Sequence, residues 1–214
     1  MRFFRPVAVI IVAAAALAGG ALPLSAAPDA EAAKQFIRDG IARTIELLKR
    51  KNMPRRQIEA RLRAELRAGF DVPTIAGYVL GPLRRGITED QKRRYLHAFE
   101  ELIVQTYTNR VFNVQPRIET ISPDIIRVTG ATPVGADQLM VHSQVNRSGA
   151  TWVKIDWRLR QRDRQLLIID IVILGISQAE VYRSEFASVA RRNGGGVEGL
   201  IRALTEKNAE LRGK

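Results

Sequence analysis

The spacing of apolar residues changes from helical to alternating at one point in this chain, and that change limits the possible folds more than any other feature. From Glu31 to Asn113, apolar residues recur every three or four positions, the period of one helix face. After Pro116 they alternate with polar residues, which is the period of a strand. From Ser177 the helical spacing returns. This order predicts an α+β domain.

Six helices are predicted, four before the sheet and two after it. Thr88 with Gln91, and Ser177 with Glu180, have the spacing of capping boxes, in which a side chain and a backbone group satisfy each other at the start of a helix. Gly69 is expected to end the second helix in the left-handed conformation. The expected bounds are 31–51, 54–69, 71–81, 88–113, 177–192 and 197–211.

Strands are predicted over 117–122, 125–129, 139–146, 153–160 and 166–174. The connections between them are short, which favours antiparallel pairing, because parallel neighbours need crossovers of a dozen or more residues. Lys154, Asp156 and Arg158 form a polar side that faces water, whereas the segment 166–174 is apolar on both sides except at Asp170. We therefore expect 166–174 to be covered on both faces. The fold prediction is a curved antiparallel sheet with helices packed on one face.

The N-terminus has the order of a secretory signal peptide. Arg2 and Arg5 precede an apolar run over 7–18, and small residues follow. The run is shorter than the roughly 20 residues that cross a bilayer, although an uncleaved membrane anchor is the alternative. We predict cleavage near Ala26 or Ala27 and a periplasmic location. Residues 1–26 are then the signal peptide, and 27–214 form one domain that is helical over 30–113, a sheet over 116–174 and helical over 177–211.

The composition constrains the partners of the chain. Its 214 residues include no cysteine, so the fold depends on its core, and 46% are hydrophobic, which supports a packed interior. The formal net charge is +12. A cytosolic protein this basic would suggest nucleic acid. An exported one meets anionic lipid head groups and membrane surfaces instead, so we expect no nucleic-acid partner.

A search for catalytic groups is largely negative. The two histidines, His97 and His142, are predicted on a helix and a strand, with no metal-ligand spacing and no cysteine beside them. No Gly-x-Ser-x-Gly elbow occurs, and the glycines at 194–196 lack the features of a phosphate loop. Asp170 is expected to be satisfied by an arginine or a backbone amide. We therefore predict no enzyme, no metal and no cofactor.

Three blocks in order resemble the MlaC/toluene-tolerance family of periplasmic carriers. Residues 70–81 read Phe-Asp-Val-Pro-Thr-Ile-Ala-Gly-Tyr-Val-Leu-Gly and are similar to the family signature Phe-Asp-Phe-x-x-Ile-Ala-x-Tyr-Val-Leu-Gly. Residues 99–107 resemble its Phe-x-x-Leu-x-x-x-Thr-Tyr helix. Residues 170–186 resemble its Asp-Val-x-x-x-Gly-[Ile/Val]-Ser block, which ends in Tyr-Arg-x-x-Phe. Val72 and Ile171 depart from the pattern, where the family has phenylalanine and valine.

The resemblance implies a carrier that moves phospholipid between outer- and inner-membrane complexes of an ABC-type lipid transport system. The implied partners are an inner-membrane ABC transporter with its periplasmic substrate-binding subunit, and an outer-membrane lipoprotein and porin complex. The lipid would be cargo rather than a cofactor, and we expect a monomer. Two alternatives stay open. One is a hopanoid carrier of the same family; the other is a basic envelope adaptor that docks to membranes without enclosing a ligand.

A carrier needs an apolar cavity for acyl chains and a mouth that leaves the head group in water. We predict that the apolar sides of the short helix, the long helix and the sheet line this cavity. Tyr78 and Arg183 are predicted at the mouth, since a phenol or guanidinium can bond a phosphate while its stem packs on apolar surface. The residues predicted to contact lipid tails are Val72, Ile75, Val79, Leu102, Tyr107, Val141, Ile155, Trp157 and Ile171.

Overall fold

Six α-helices and five strands make up the part of the chain that the structure, a computed structural model, describes: residues 29–50, 52–114, 126–146, 152–163 and 165–213. The helical part before the sheet comprises α1 (Ala30–Lys49), α2 (Arg55–Gly69), α3 (Val72–Leu80), a short 3₁₀ helix (Gly81–Arg84) and α4 (Glu89–Val114). The sheet comprises β1 (Ile126–Pro133), β2 (Gln138–Asn146), β3 (Trp152–Arg162), β4 (Gln165–Ile173) and β5 (Ile176–Ser177). Two further helices follow, α5 (Gln178–Arg192) and α6 (Val197–Arg212).

The predicted α+β class and the order of elements are confirmed. The five strands form one antiparallel sheet in sequential order, β1-β2-β3-β4-β5. β5 has two residues and was not predicted. The predicted strand over 117–122 and the signal segment over 1–26 lie outside the described residues, so both stay predictions.

Local signals located the helix starts correctly. Thr88 and Gln91 form a reciprocal capping box, with the Thr88 amide donating to Gln91 Oε1 (3.0 Å) and the Gln91 amide donating to Thr88 Oγ1 (3.2 Å). The Glu180 amide donates to Ser177 Oγ at the start of α5. The expected left-handed stop at Gly69 is wrong. Gly69 is the last helical residue, and α2 ends because Phe70 becomes extended (φ −123°) and its neighbour Asp71 bonds the Ile168 carbonyl of β4.

The sheet has one covered face. Leu139, Val141, Leu159 and Ile168 point toward the helices and pack with Ala33 and Ile37 of α1. The expectation that 166–174 is covered on both faces is wrong. Within β4 Ile168 is buried, whereas its neighbours are half-buried, and Leu174 just beyond the strand is 66% exposed. The helices pack against one face, and the apolar residues of β4 on the other face are only partly covered.

The helices α3, α4, α5 and α6 share a second core built around four aromatic rings. Phe186 of α5 lies 6.0–6.4 Å, between ring centres, from Tyr95, Phe99 and Tyr182. The Tyr95 hydroxyl donates to the Ala76 carbonyl (2.9 Å), so its one polar atom is satisfied inside the core. Gly199 allows α6 to approach the end of α5, because a Cβ there would collide with the Asn193 backbone. These residues belong to one cluster of buried side chains drawn from all four helices, which we call the helical core.

Candidate functional site

A cavity of about 480 Å³ lies between α1 and α2 on one side and the sheet, α4 and α5 on the other. Its walls are mainly aliphatic and aromatic side chains contributed by these elements. Three residues that line it are exposed and define what we call the rim: Arg43, Thr44 and Tyr107. The interior lining of α1 and α2 includes Ile41, Ile45, Leu48, Leu62 and Leu66, all half-buried.

The cavity exists because helix α1 and the end of α2 do not fill the space over the sheet. Gly40 of α1 and Gly69 of α2 both line it. A Cβ added at Gly69 would meet no atom within 4 Å, although the residue is itself buried. A buried position with open space at the missing side chain is unusual, because protein interiors are close-packed. The glycine therefore contributes directly to the empty volume.

Five of the nine residues predicted for tail contact line this cavity: Val72, Ile75, Tyr107, Trp157 and Ile171. They come from α3, α4, β3 and β4, so the fold brings together residues that are far apart in sequence. Trp157 is fixed in place, because its Nε1 donates to Ser143 Oγ on the neighbouring strand (3.0 Å). The Ser143 hydroxyl in turn donates to the Ile155 carbonyl (2.7 Å).

The other four lie elsewhere. Val79 and Leu102 are buried in the helical core, because they occupy the faces of α3 and α4 that pack on α5 and α6. Val141 is fully buried beneath α1. Ile155 is half-buried and is not among the residues that line the cavity. The apolar periodicity of each element was predicted correctly, but it does not separate filled core from cavity wall.

Tyr78 and Arg183, the residues predicted for the mouth, contact each other but do not line the cavity. The Arg183 guanidinium lies 4.9 Å from the centre of the Tyr78 ring, and the Tyr78 hydroxyl donates to the Glu180 carboxylate. This cluster joins α3 to α5 beside the cavity. Asp170 takes hydrogen bonds from the Ile171 and Ala179 amides, which confirms the expected backbone partners.

Polar groups that were not predicted lie at the rim. Arg43 Nε is 2.8 Å from Glu65 Oε2, so an ion pair between two residues that line the cavity joins α1 to α2. The Arg110 guanidinium stacks 5.1 Å from the centre of the Tyr107 ring.

Burial, together with the nearby Tyr107, raises the pKa of Tyr182, which lines the cavity from α5. The contribution of α1 and α2 was missed, although Gly40 and Gly69 on otherwise apolar helix faces were a usable signal.

Neither histidine forms part of the cavity. His142 Nδ1 is 2.9 Å from Asp156 Oδ1 and its Nε2 is 3.0 Å from Thr132 Oγ1, on the side of the sheet opposite the helices. His97 is exposed on α4. Across the described ranges, no group of three or more His, Cys, Asp or Glu side chains could hold a metal ion. In those same ranges, no helix has the length and apolar character needed to span a bilayer.

An ion-pair network ties the cavity wall to the helical core. Arg63 of α2 binds both Glu100 (2.7 Å) and Glu101 (2.6 Å) of α4, and Arg212 of α6 binds Glu101 (3.0 Å). Burial alone would raise the pKa of Glu101. Hydrogen bonds from Arg63, Gln105 and Arg212 nevertheless hold that pKa at about 2.

Comparisons with known proteins identify the family. No curated protein matches the chain. A solved phospholipid-binding protein from Ralstonia solanacearum, in complex with a phospholipid, has a similar fold, with a TM-score of 0.65 at 22% identity over 84% of this chain and 98% of that one. The family model described as MlaC protein matches residues 38–206, most of the chain, including all three blocks that resembled the family. The chain belongs to the MlaC protein family.

Proposed function

We propose that this protein is a lipid-binding carrier that encloses the acyl chains of a phospholipid in the cavity between α1, α2 and the sheet. The cavity itself is the observation that carries the proposal. Its volume of about 480 Å³ is within the range of small-molecule sites, and its walls are predominantly apolar. An empty apolar space of this size is costly in a packed interior, so a ligand that fills it is favoured.

The chemistry of the walls selects the class of ligand. Each CH₂ transferred from water to such a cavity contributes about 0.8 kcal/mol, so an acyl chain gains considerable free energy by entering. Polar groups at the rim suit the other end of the lipid. Arg43 and Thr44 are exposed there, and Arg110 stacks on Tyr107 beside the opening. A phosphate at this rim would stay in water within reach of guanidinium groups.

We propose for the wider role what membership of the family suggests. A soluble carrier of this type would take phospholipid from one membrane complex and give it to another, in the periplasm, with an ABC-type transporter at the inner membrane and a lipoprotein and porin complex at the outer membrane. No catalytic group is required for this task. The Ralstonia protein of similar fold, which was solved with a phospholipid, supports the same ligand class.

Native mass spectrometry of the purified protein tests the proposal, with a cavity-filling variant as comparison. Wild type is expected to carry one lipid, identified after organic extraction. Gly69→Phe places a ring in the cavity and should abolish the bound mass. Gly77→Phe is the matched control, since Gly77 is also helical with open space at its Cβ but does not line the cavity. An apo mass for wild type, with no uptake of added phospholipid or hopanoid, would contradict the proposal.

A further inference from the structure

The β4–β5 turn carries the two most exposed large hydrophobic side chains among the described residues. Leu174 is 66% exposed and Ile176 is 59% exposed. Leu174 and Gly175 form a two-residue turn that is closed by pairing of Ile173 with Ile176, the first residue of β5. We call Leu174, Gly175 and Ile176 the apolar tip.

The backbone of the apolar tip makes leucine an unfavourable choice there. Leu174 has φ 52° and Gly175 has φ 84°, so both central residues are left-handed. Turns of this kind favour Asn-Gly, because asparagine tolerates the left-handed region and its polar side chain is readily hydrated. Leucine opposes both preferences. An exposed, conformationally strained apolar residue indicates a role that folding does not explain.

The turn is held in place rather than loosely attached. The Leu174 amide donates to the Lys154 carbonyl of β3 (3.0 Å), and Gln178 Nε2 donates to the Ile176 carbonyl (3.2 Å). Ser177, directly after the tip, caps α5. The two apolar side chains are thus presented on a fixed support.

Cations and an aromatic ring lie at the same end of the sheet. The strand register aligns Arg127 with Gln144 and Gln144 with Lys154, in a row across β1, β2 and β3 that leads to Leu174. The Arg127 guanidinium lies 4.8 Å from the centre of the Trp152 ring. Tryptophan, arginine and lysine beside exposed aliphatic residues are the composition of a membrane–water interface.

This end of the sheet is also an end of the cavity. Ile126, the neighbour of Arg127, lines the cavity from β1, and Gln178 and Ala179 line it from the residues that follow the tip. A surface bound at the tip would therefore lie close to the cavity.

We propose that the apolar tip, with Arg127, Trp152 and Lys154, docks this protein on an anionic lipid bilayer by inserting Leu174 and Ile176 among the lipids. The cations complement the negative surface, as does the net charge of +12. Two aliphatic side chains give weak and reversible binding, which suits a protein that must leave the membrane again. This docking is separate from enclosure of a lipid, because none of these six residues lines the cavity.

Site-specific fluorescence tests the docking directly. The chain has no cysteine, so Leu174→Cys and Val134→Cys each give a single attachment point for an environment-sensitive dye. Val134 is the control, because it is an exposed apolar residue (42%) in the turn at the opposite end of the sheet. With vesicles of phosphatidylcholine and phosphatidylglycerol, the dye at 174 should shift to the blue and the dye at 134 should not. No shift at 174, or equal shifts at both, would overturn the proposal.

A second pair of variants measures the contribution of the tip to affinity. The double variant Leu174→Asn with Ile176→Thr introduces residues that suit the turn and the strand, so it should fold normally. It should weaken vesicle binding by about tenfold for each side chain removed, whereas Val134→Asn should leave binding unchanged. The same samples are analysed for bound lipid, which should match wild type. Unchanged vesicle binding refutes docking, and an apo wild type refutes the carrier role, so the two failures are distinguishable.

Discussion

The helical core and the cavity region are built from the same kinds of side chain but pack in opposite ways. In the helical core, Phe186 is enclosed by three other rings and is 3% exposed. Around the cavity, Ile41, Ile45 and Leu48 of α1 face open volume and stay half-buried. Aromatic rings fill the helical core, and two of them, Phe99 and Tyr182, also line the cavity. Glycine at positions 40 and 69 leaves space in the cavity wall.

The contrast shows how one chain can be both stable and hollow. The helical core supplies stability that does not depend on a ligand, because its side chains already contact each other. Side chains of the cavity wall lack such contacts on the side that faces the empty volume. A lipid that fills the cavity would supply them. Substitutions in the two regions should therefore differ in their cost to the free energy of unfolding.

The largest expected effect is in the helical core. Phe186→Ala removes the ring that Tyr95, Phe99 and Tyr182 surround, and the cavity it leaves should reduce the free energy of unfolding by about 4 kcal/mol. Urea unfolding followed by circular dichroism measures it. A loss below about 1 kcal/mol would mean that this core is not close-packed.

A smaller effect is expected where the two regions are joined. Glu101→Gln weakens the bonds from Arg63 and Arg212 and should cost about 2 kcal/mol near neutral pH. Because the pKa of Glu101 is about 2 when folded and near 4.3 when unfolded, the carboxylate stabilises the fold above pH ~4.3, and that contribution is lost as pH falls toward 2.

Unfolding in urea at several pH values tests this link. The gap between wild type and Glu101→Gln should narrow as the pH falls from about 4.3 toward 2. Glu46→Gln is the control, since Glu46 pairs with Lys49 on the exposed face of α1 and should change stability by less than about 0.5 kcal/mol. A gap that persists at low pH would show that the network does not act through the Glu101 charge.

The smallest effect is expected at the cavity wall. Ile45→Ala enlarges a space that already exists, so the loss should be about 1 kcal/mol for the protein stripped of lipid. The loss of stability should be larger when lipid is bound, because the ligand in the wild type contacts the Ile45 side chain that the variant lacks. Thermal unfolding of stripped and loaded samples measures both values. Equal losses in the two states would place Ile45 outside the ligand contact.

The sequence was informative where structure depends on neighbours along the chain. The capping box at Thr88 and Gln91 is a local pattern, and its prediction was correct. The alternation in β3 was correct for the exposed Lys154 and Arg158, but Asp156, expected to face water, is buried beside His142 of the neighbouring strand. The end of α2 at Gly69 was predicted correctly, but the left-handed conformation expected there is wrong, because the chain leaves the helix through pairing between Asp71 and β4, about a hundred residues away.

The candidate site was predictable in part for the same reason. Val72 and Val79 share one helix, one apolar pattern and one buried cluster, yet only Val72 also lines the cavity. Only the packing of α1, α2 and α5 around the sheet distinguishes them. The local sequence pattern determines that a side chain faces inward. Whether that side chain meets other atoms or an empty space depends on elements distant in sequence.

Fluorescence quenching of Trp157 tests the central claim, lipid tails in the cavity, most directly. The chain has two tryptophans, with Trp157 in the cavity wall and Trp152 at the end of the sheet. The protein is loaded with phospholipid that carries a nitroxide on an acyl chain and is then separated from the vesicles. Any quenching that remains comes from lipid bound to the protein. We predict strong quenching in Trp152→Phe, where Trp157 alone emits. We predict weak quenching in Trp157→Phe, where Trp152 alone emits. Equal quenching in both, or none in Trp152→Phe, would contradict the account.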